Sequence, residues 1–171
     1  MERQQQICTA LAHLFPTPTA GTPSPTADGT APEAPPERTA GVLSLDFPRC
    51  GAHLDVLCAP DQVVAVAEVM DAQGFFLESI AGVDWLDQQQ LEILYDYNRL
   101  GGEHCRVLVR TRVDRSQPVV PTISAIFPAA DWHERETFDF YGVHFQGHPN
   151  LIRILLPEDA DFHPLLKDFM P

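Results

Sequence analysis

Basic residues are scarce in this sequence: 11 Lys and Arg stand against 24 Asp and Glu, a formal charge of -13. The field of such a chain repels phosphate backbones and anionic headgroups, which excludes nucleic acid as an expected partner. Long apolar runs are missing as well. The longest, Val63 to Ala67, falls far short of the ~20 residues a bilayer-spanning helix needs. The start, MERQQQICTALAHLFP, carries an acid at Glu2 and a short broken apolar run where a secretory signal has a basic region and a long apolar core. That predicts a chain that is not exported. Cys8, Cys50, Cys58 and Cys105 make no C-x-x-C pair, no zinc-finger spacing and no iron-sulfur run, and read as four reduced thiols. No G-x-S-x-G, P-loop or G-x-G-x-x-G occurs, so hydrolase, nucleotide and dinucleotide chemistry have no local motif.

What is present is 171 residues at 44% hydrophobic content, enough for one domain with a core. Ile7, Leu11, Leu14 and Phe15 recur at helical spacing, which predicts a short amphipathic helix over Gln4 to Phe15, marginal by itself in water and a candidate tethered docking peptide. Pro16 to Thr39 holds seven of the 16 prolines and no large apolar residue, the composition of a flexible linker. The domain is expected from about residue 41 to 171. Leu54, Val56 and Cys58 alternate as in a strand. A helix then runs from Pro60, burying Val63, Val66, Ala67 and Met70 and ending at Gly74. Phe75 to Leu86 reads as extended and bent near Gly82. A hairpin follows, with Leu91, Ile93, Tyr95 and Tyr97 on one face, a Gly101-Gly102 turn, and Cys105, Val107, Val109 and Val113 on the return. On its other face Glu92 and Asp96 oppose Arg106, Arg110 and Arg112, an ordinary cross-strand pairing. Ile123, Ile126 and Phe127 suggest a helical turn before Pro128. The order strand, helix, three strands, helix predicts an α+β two-layer sandwich: a mainly antiparallel sheet with helices on one face and an extended C-terminal segment.

The stretch from Asp131 to Phe169 is the densest in chemistry-bearing residues. In DWHERETFDFYG, Asp131, Arg135 and Asp139 lie four apart, so Arg135 is expected to pair with an acid on either side and to be the one cation among four acids, with Glu134 and Glu136. Gly142 closes the helix. Four aromatics and this ladder leave no plainly solvated face, as in a helix clamped under a partner. Gly147 and Pro149 then mark a turn, and Leu151 to Leu156 is an aliphatic run in which Arg153 needs an acid. The last residues, with two prolines and no periodicity, are expected to lie across a surface. His133 with Glu136, and His144 with His148, are raw material for a metal-dependent hydrolase, but HERE is not H-E-x-x-H and a Gly-His-Pro turn separates the last two imidazoles. The stretch reads as an interface.

The same residues resemble the signature of the 30 kDa subunit family of respiratory complex I, its bacterial NADH-quinone oxidoreductase members included. Its segments E-R-E, D-F-Y-G, G-H-P-N-L-x-R-I-L-L-P and H-P-L-x-K-D stand here as Glu134-Arg135-Glu136, Asp139-Phe140-Tyr141-Gly142, Gly147 to Pro157 with His148, Pro149 and Arg153, and His163-Pro164 to Lys167-Asp168. The likeness covers Leu54 to Asp168 in layout and about forty C-terminal residues in motif. It implies a subunit without cofactor or catalytic centre, in the hydrophilic arm of a membrane-attached complex on the cytoplasmic side of the inner membrane. Its partners would be the large quinone-site subunit and the small iron-sulfur subunit. Iron-sulfur clusters, and a flavin or nickel-iron centre, would belong to partner chains. Leu166 stands where the family usually has arginine, and the chain stops at Pro171 without the longer tail of many members. Both departures keep the homologous subunit of energy-converting nickel-iron hydrogenases, carbon monoxide induced or formate-linked, as an alternative.

Overall fold

The computed structural model describes residues 2–15 and 40–170. The linker read at Pro16 to Thr39 lies outside the described residues. Helix α1, Glu2–Ala12, is followed by β1, Gly41–Ser44, the one-turn α2, Phe47–Cys50, and β2, Leu54–Cys58. A 3-10 turn at Pro60–Gln62 opens α3, Val63–Ala72. Then come β3, Phe76–Trp85, β4, Gln90–Arg99, β5, Cys105–Asp114, β6, Val119–Pro121, α4, Ala130–Tyr141, and β7, His144–Gln146. Elements β1, α2, β6 and β7 escape the sequence reading because each is only three or four residues long, too short to show a period.

The main sheet has the order β1-β2-β5-β4-β3. Every pairing is antiparallel except β2 with β5, which α3 makes possible by carrying the chain across the sheet from β2 to its far edge at β3. One face is apolar: Leu54 and Val56 of β2, Leu91, Ile93, Tyr95 and Tyr97 of β4, and Val107 and Val109 of β5 are all at most 1% exposed. Helix α3 lays Val63, Val66, Ala67 and Met70 on that face, as its spacing predicts, and Gly74 follows it with φ +74°. The opposite face carries the expected ion pairs, and they extend one strand further. Arg110 joins Asp55 of β2 at 3.1 Å to Glu92 of β4 at 2.9 Å, Arg112 meets Glu92 at 2.8 Å, and Arg106 holds Asp96.

Two expectations are corrected. The irregularity in β3 falls between Leu77 and Ser79, not at Gly82; this bulge inserts one residue, so that Leu77 and Ile80, three apart, both face the core. Helix α1 does not stand free as a docking peptide: Ile7 and Leu11 are fully buried, and the Gln62 side chain donates to the Leu14 carbonyl at 2.6 Å. A helix too short to persist alone gains its stability by covering α3 and β1. No helix among the described residues is long and apolar enough to cross a membrane.

Candidate functional site

Helix α4 lies on the apolar face over β3, and a glycine lets it come close. The Tyr141 ring occupies the space where a Cβ at Gly82 would stand, within 2.5 to 2.9 Å of three ring carbons. Gly142 ends the helix at φ +76°, with its N–H on the Phe138 carbonyl, as the sequence predicts. A second constraint acts there: a Cβ at Gly142 would sit 2.8 Å from Nε2 of His163, whose ring crosses the helix end and whose Nδ1 faces the Asp139 carbonyl at 3.0 Å.

The residues after β7 form an irregular arm, and Asp139 anchors it. This side chain is fully buried. Its Oδ2 accepts the backbone N–H groups of Ile154 at 3.1 Å, Leu155 at 2.8 Å and Leu156 at 2.9 Å, and its Oδ1 accepts Arg153 at 2.7 Å. Burial pushes the carboxyl pKa up; the amides of Leu156 and Leu155, the Arg153 guanidinium and the amide of Ile154 outweigh it and hold the pKa at about 2. Arg153 thus finds the acid it was expected to need. The pairing corrects the reading of Arg135, which is neither paired with Asp139 nor the sole cation of the cluster. Arg135 comes within 3.9 Å of Asp131, donates to the Ile152 carbonyl at 3.1 Å and lies over the Trp132 ring at 5.2 Å.

A second anchor holds the arm's far end. Asp84, at the end of β3, accepts the backbone N–H of Lys167 at 2.8 Å and Arg115 at 2.9 Å, and Arg115 also pairs with Asp168. The Lys167 ammonium and the Arg112 guanidinium lie over Trp85 at 5.8 and 5.4 Å. Asp84, Trp85 and Arg115 escape sequence reasoning because they lie more than fifty residues from the arm end they hold and belong to no local pattern. Leu166, in the place of the family arginine, packs against the core, and Pro164 is half-buried.

The other motif residues support α4. Glu134 is fully buried, accepting the Thr122 hydroxyl and the Ile123 N–H at 2.8 Å. Burial raises its pKa to about 7 against those two hydrogen bonds, with Asp131 adding to the rise. His148, its side chain also buried, accepts the Asn150 N–H on Nδ1 at 3.0 Å and directs Nε2 at the Asp131 carbonyl at 3.2 Å. Gly147 and Pro149 lie at the surface, lining a cavity of about 350 Å³ with Thr122, Ser124 and Asp131. His133 offers its carbonyl to Thr137, and His144 is exposed on β7. Among the described residues no group of three or more His, Cys, Asp or Glu side chains is arranged to hold a metal ion, and His133, Glu136, His144 and His148 form no such group.

What the anchored arm presents outward is apolar. Ile152, Leu155, Phe162, Leu165 and Met170 are 39 to 86% exposed, and Trp132 of α4 is 64% exposed. Phe162 stacks on Phe169 at 5.2 Å between ring centres. Buried ionic anchors thus fix large apolar side chains in exposed positions.

Known proteins agree with this layout. The family described as respiratory-chain NADH dehydrogenase, 30 Kd subunit, matches residues 56–171. An NADH-quinone oxidoreductase subunit from Roseiflexus castenholzii is 39% identical over 120 residues, 67% of this chain and 68% of the relative. Its counterpart in Moorella thermoacetica is 40% identical over 124 residues, 71% and 83% of the two chains. In shape the chain is similar to the trypsin-resistant fragment of Nqo5, with TM-score 0.61, 23% identity and coverage of 88% of this chain and 100% of that one. It is also similar to a chain of an archaeal membrane-bound sulfane sulfur reductase, with TM-score 0.69, 22% identity and coverage of 99% and 86%. The two solved structures share the fold, and the sequence match over the α4 and arm motifs and the sheet before them carries the assignment: the chain belongs to the family of the 30 kDa subunit of the respiratory-chain NADH dehydrogenase.

Proposed function

We propose that the chain is a non-catalytic subunit of the hydrophilic arm of a membrane-attached NADH:quinone oxidoreductase, packed on the large quinone-site subunit with the small iron-sulfur subunit nearby. The observation that carries this reading is the arm: Asp139 and Asp84 fix its two ends, and the residues between them hold apolar side chains out to solvent. Asp139, Glu134, His148 and His163, which could serve chemistry, instead hold the arm and α4 in place. Iron-sulfur clusters and flavin belong, on this reading, to the neighbouring chains, and the assembly sits peripherally on the cytoplasmic side of the inner membrane. The chain's own part is to brace the large subunit.

The test is to tag the chain, solubilise native membranes gently and identify what co-purifies. A large quinone-site subunit, a small iron-sulfur subunit and a flavin-bearing NADH-oxidising subunit are expected. A nickel-iron large subunit in their place would assign the chain to the hydrogenase branch instead. Recovery of the chain alone, with a visible absorbance band of its own, would refute the proposal.

A further inference from the structure

Glu136 stands apart from its neighbours. Every other charged or imidazole side chain of the motif has a partner inside the fold, but among the described residues Glu136 has no hydrogen bond and no ion pair. It lies beside a cavity of about 180 Å³, lined by Ile80, Ala81 and Gly82 of β3, Phe140 and Tyr141 of α4, and Leu165 of the arm. Left in water, a half-buried carboxylate needs no partner. Leu165, however, is both a wall of this cavity and one of the arm's exposed apolar residues, so a subunit that covers the arm also covers Glu136. A carboxylate desolvated without a counter-charge opposes association strongly, and among the described residues no cation lies within ion-pair distance of this one.

We infer that Glu136 and its cavity receive one long cationic side chain, lysine or arginine, from the subunit on which the arm packs. The inference rests on the proposed function and names the chemistry of the partner at one point. The cavity suits such an occupant: it is far too small for a helix or a strand, its Ile80, Ala81 and Leu165 walls accept an aliphatic stem, and Phe140 and Tyr141 line it together with Glu136. On a chain of net charge -13, a basic contact surface on the partner also meets the sign of the whole molecule.

The experiment uses the full-length tagged chain in its native membranes. The fraction of chain that migrates with the complex on native gels is measured for Glu136→Lys, Glu136→Gln and Glu136→Asp. Glu136→Lys should lower that fraction by about tenfold or more, Glu136→Gln by less, and Glu136→Asp least. The melting temperature of each purified chain should match the unaltered one, since no internal partner is lost. Crosslinking from Glu136→Cys then locates the facing segment, and changing a lysine or arginine there to glutamate should restore assembly of Glu136→Lys. Assembly of Glu136→Lys at the ordinary level, or a facing segment without a basic residue, would overturn this inference and leave the family assignment standing. Recovery of the unaltered chain with no other subunit would overturn the proposed function itself.

Discussion

Replacing Asp139 should release the arm and leave the sheet folded. The carboxylate takes three backbone amides and one guanidinium in a fully buried position. Asp139→Asn keeps the shape but removes the charge, and turns an N–H₂ toward donors. Hydrogen bonds to a charged acceptor contribute ~1.5–3 kcal/mol each, and removing one member of a buried pair costs ~3–5 kcal/mol. The four bonds share one acceptor and are not additive, so the loss is set at ~3–5 kcal/mol, concentrated in residues 153–156. At 1.4 kcal/mol per decade, local opening of the arm should become about 100- to 4000-fold more frequent. Amide hydrogen exchange at Ile154, Leu155 and Leu156 reads this directly, with amides of β4 and β5 as the internal reference. The folded pKa of about 2 lies below the ordinary 3.8, so the stabilisation is complete above the ordinary value and is lost as pH falls from there through about 2. The measurement at neutral pH therefore reports the full effect. Exchange of those three amides at the unaltered rate in Asp139→Asn would refute the anchoring role, and so would equal acceleration throughout the sheet.

Glu134 has the opposite pH sign: its folded pKa of about 7 is above the ordinary 4.5, so its contribution is present below 4.5 and lost as pH rises through 7. Unfolding free energy should fall by ~3 kcal/mol across that window, and Glu134→Gln should flatten the profile in urea titrations at several pH values. Gly82→Ala forces the Tyr141 ring off β3 and should destabilise the chain by ~1–3 kcal/mol, seen as a lower melting temperature, because the clash is with ring atoms and not with a flexible chain end. Deleting Pro18 to Pro36, a stretch with no large apolar side chain, should leave the melting temperature within a few degrees of the intact chain; a drop of ten degrees or more would show that this stretch contributes to the fold.

The sequence by itself determined the elements whose periodicity is long enough to read. The β4–β5 hairpin alternates over ten residues on each side, α3 buries a face at i, i+3, i+4 and i+7, and Gly142 marks the end of α4. The cross-strand ion pairs were legible for the same reason, since local spacing sets which side chains share a face. Tertiary structure decided what spacing cannot encode. Asp139 stands four residues after Arg135, yet it turns from that helical neighbour to Arg153 and three arm amides, because a buried carboxylate favours several converging donors over a single cation. Glu134 and Glu136 look alike in sequence, and only packing makes one a buried brace and the other a carboxylate beside a cavity, unpaired among the described residues. The clamp of Asp84, Arg115 and Asp168 joins three distant segments that no period connects. Helix α1 is amphipathic in either setting; only the apolar surface of α3 and β1 determines that its apolar side is covered within the chain.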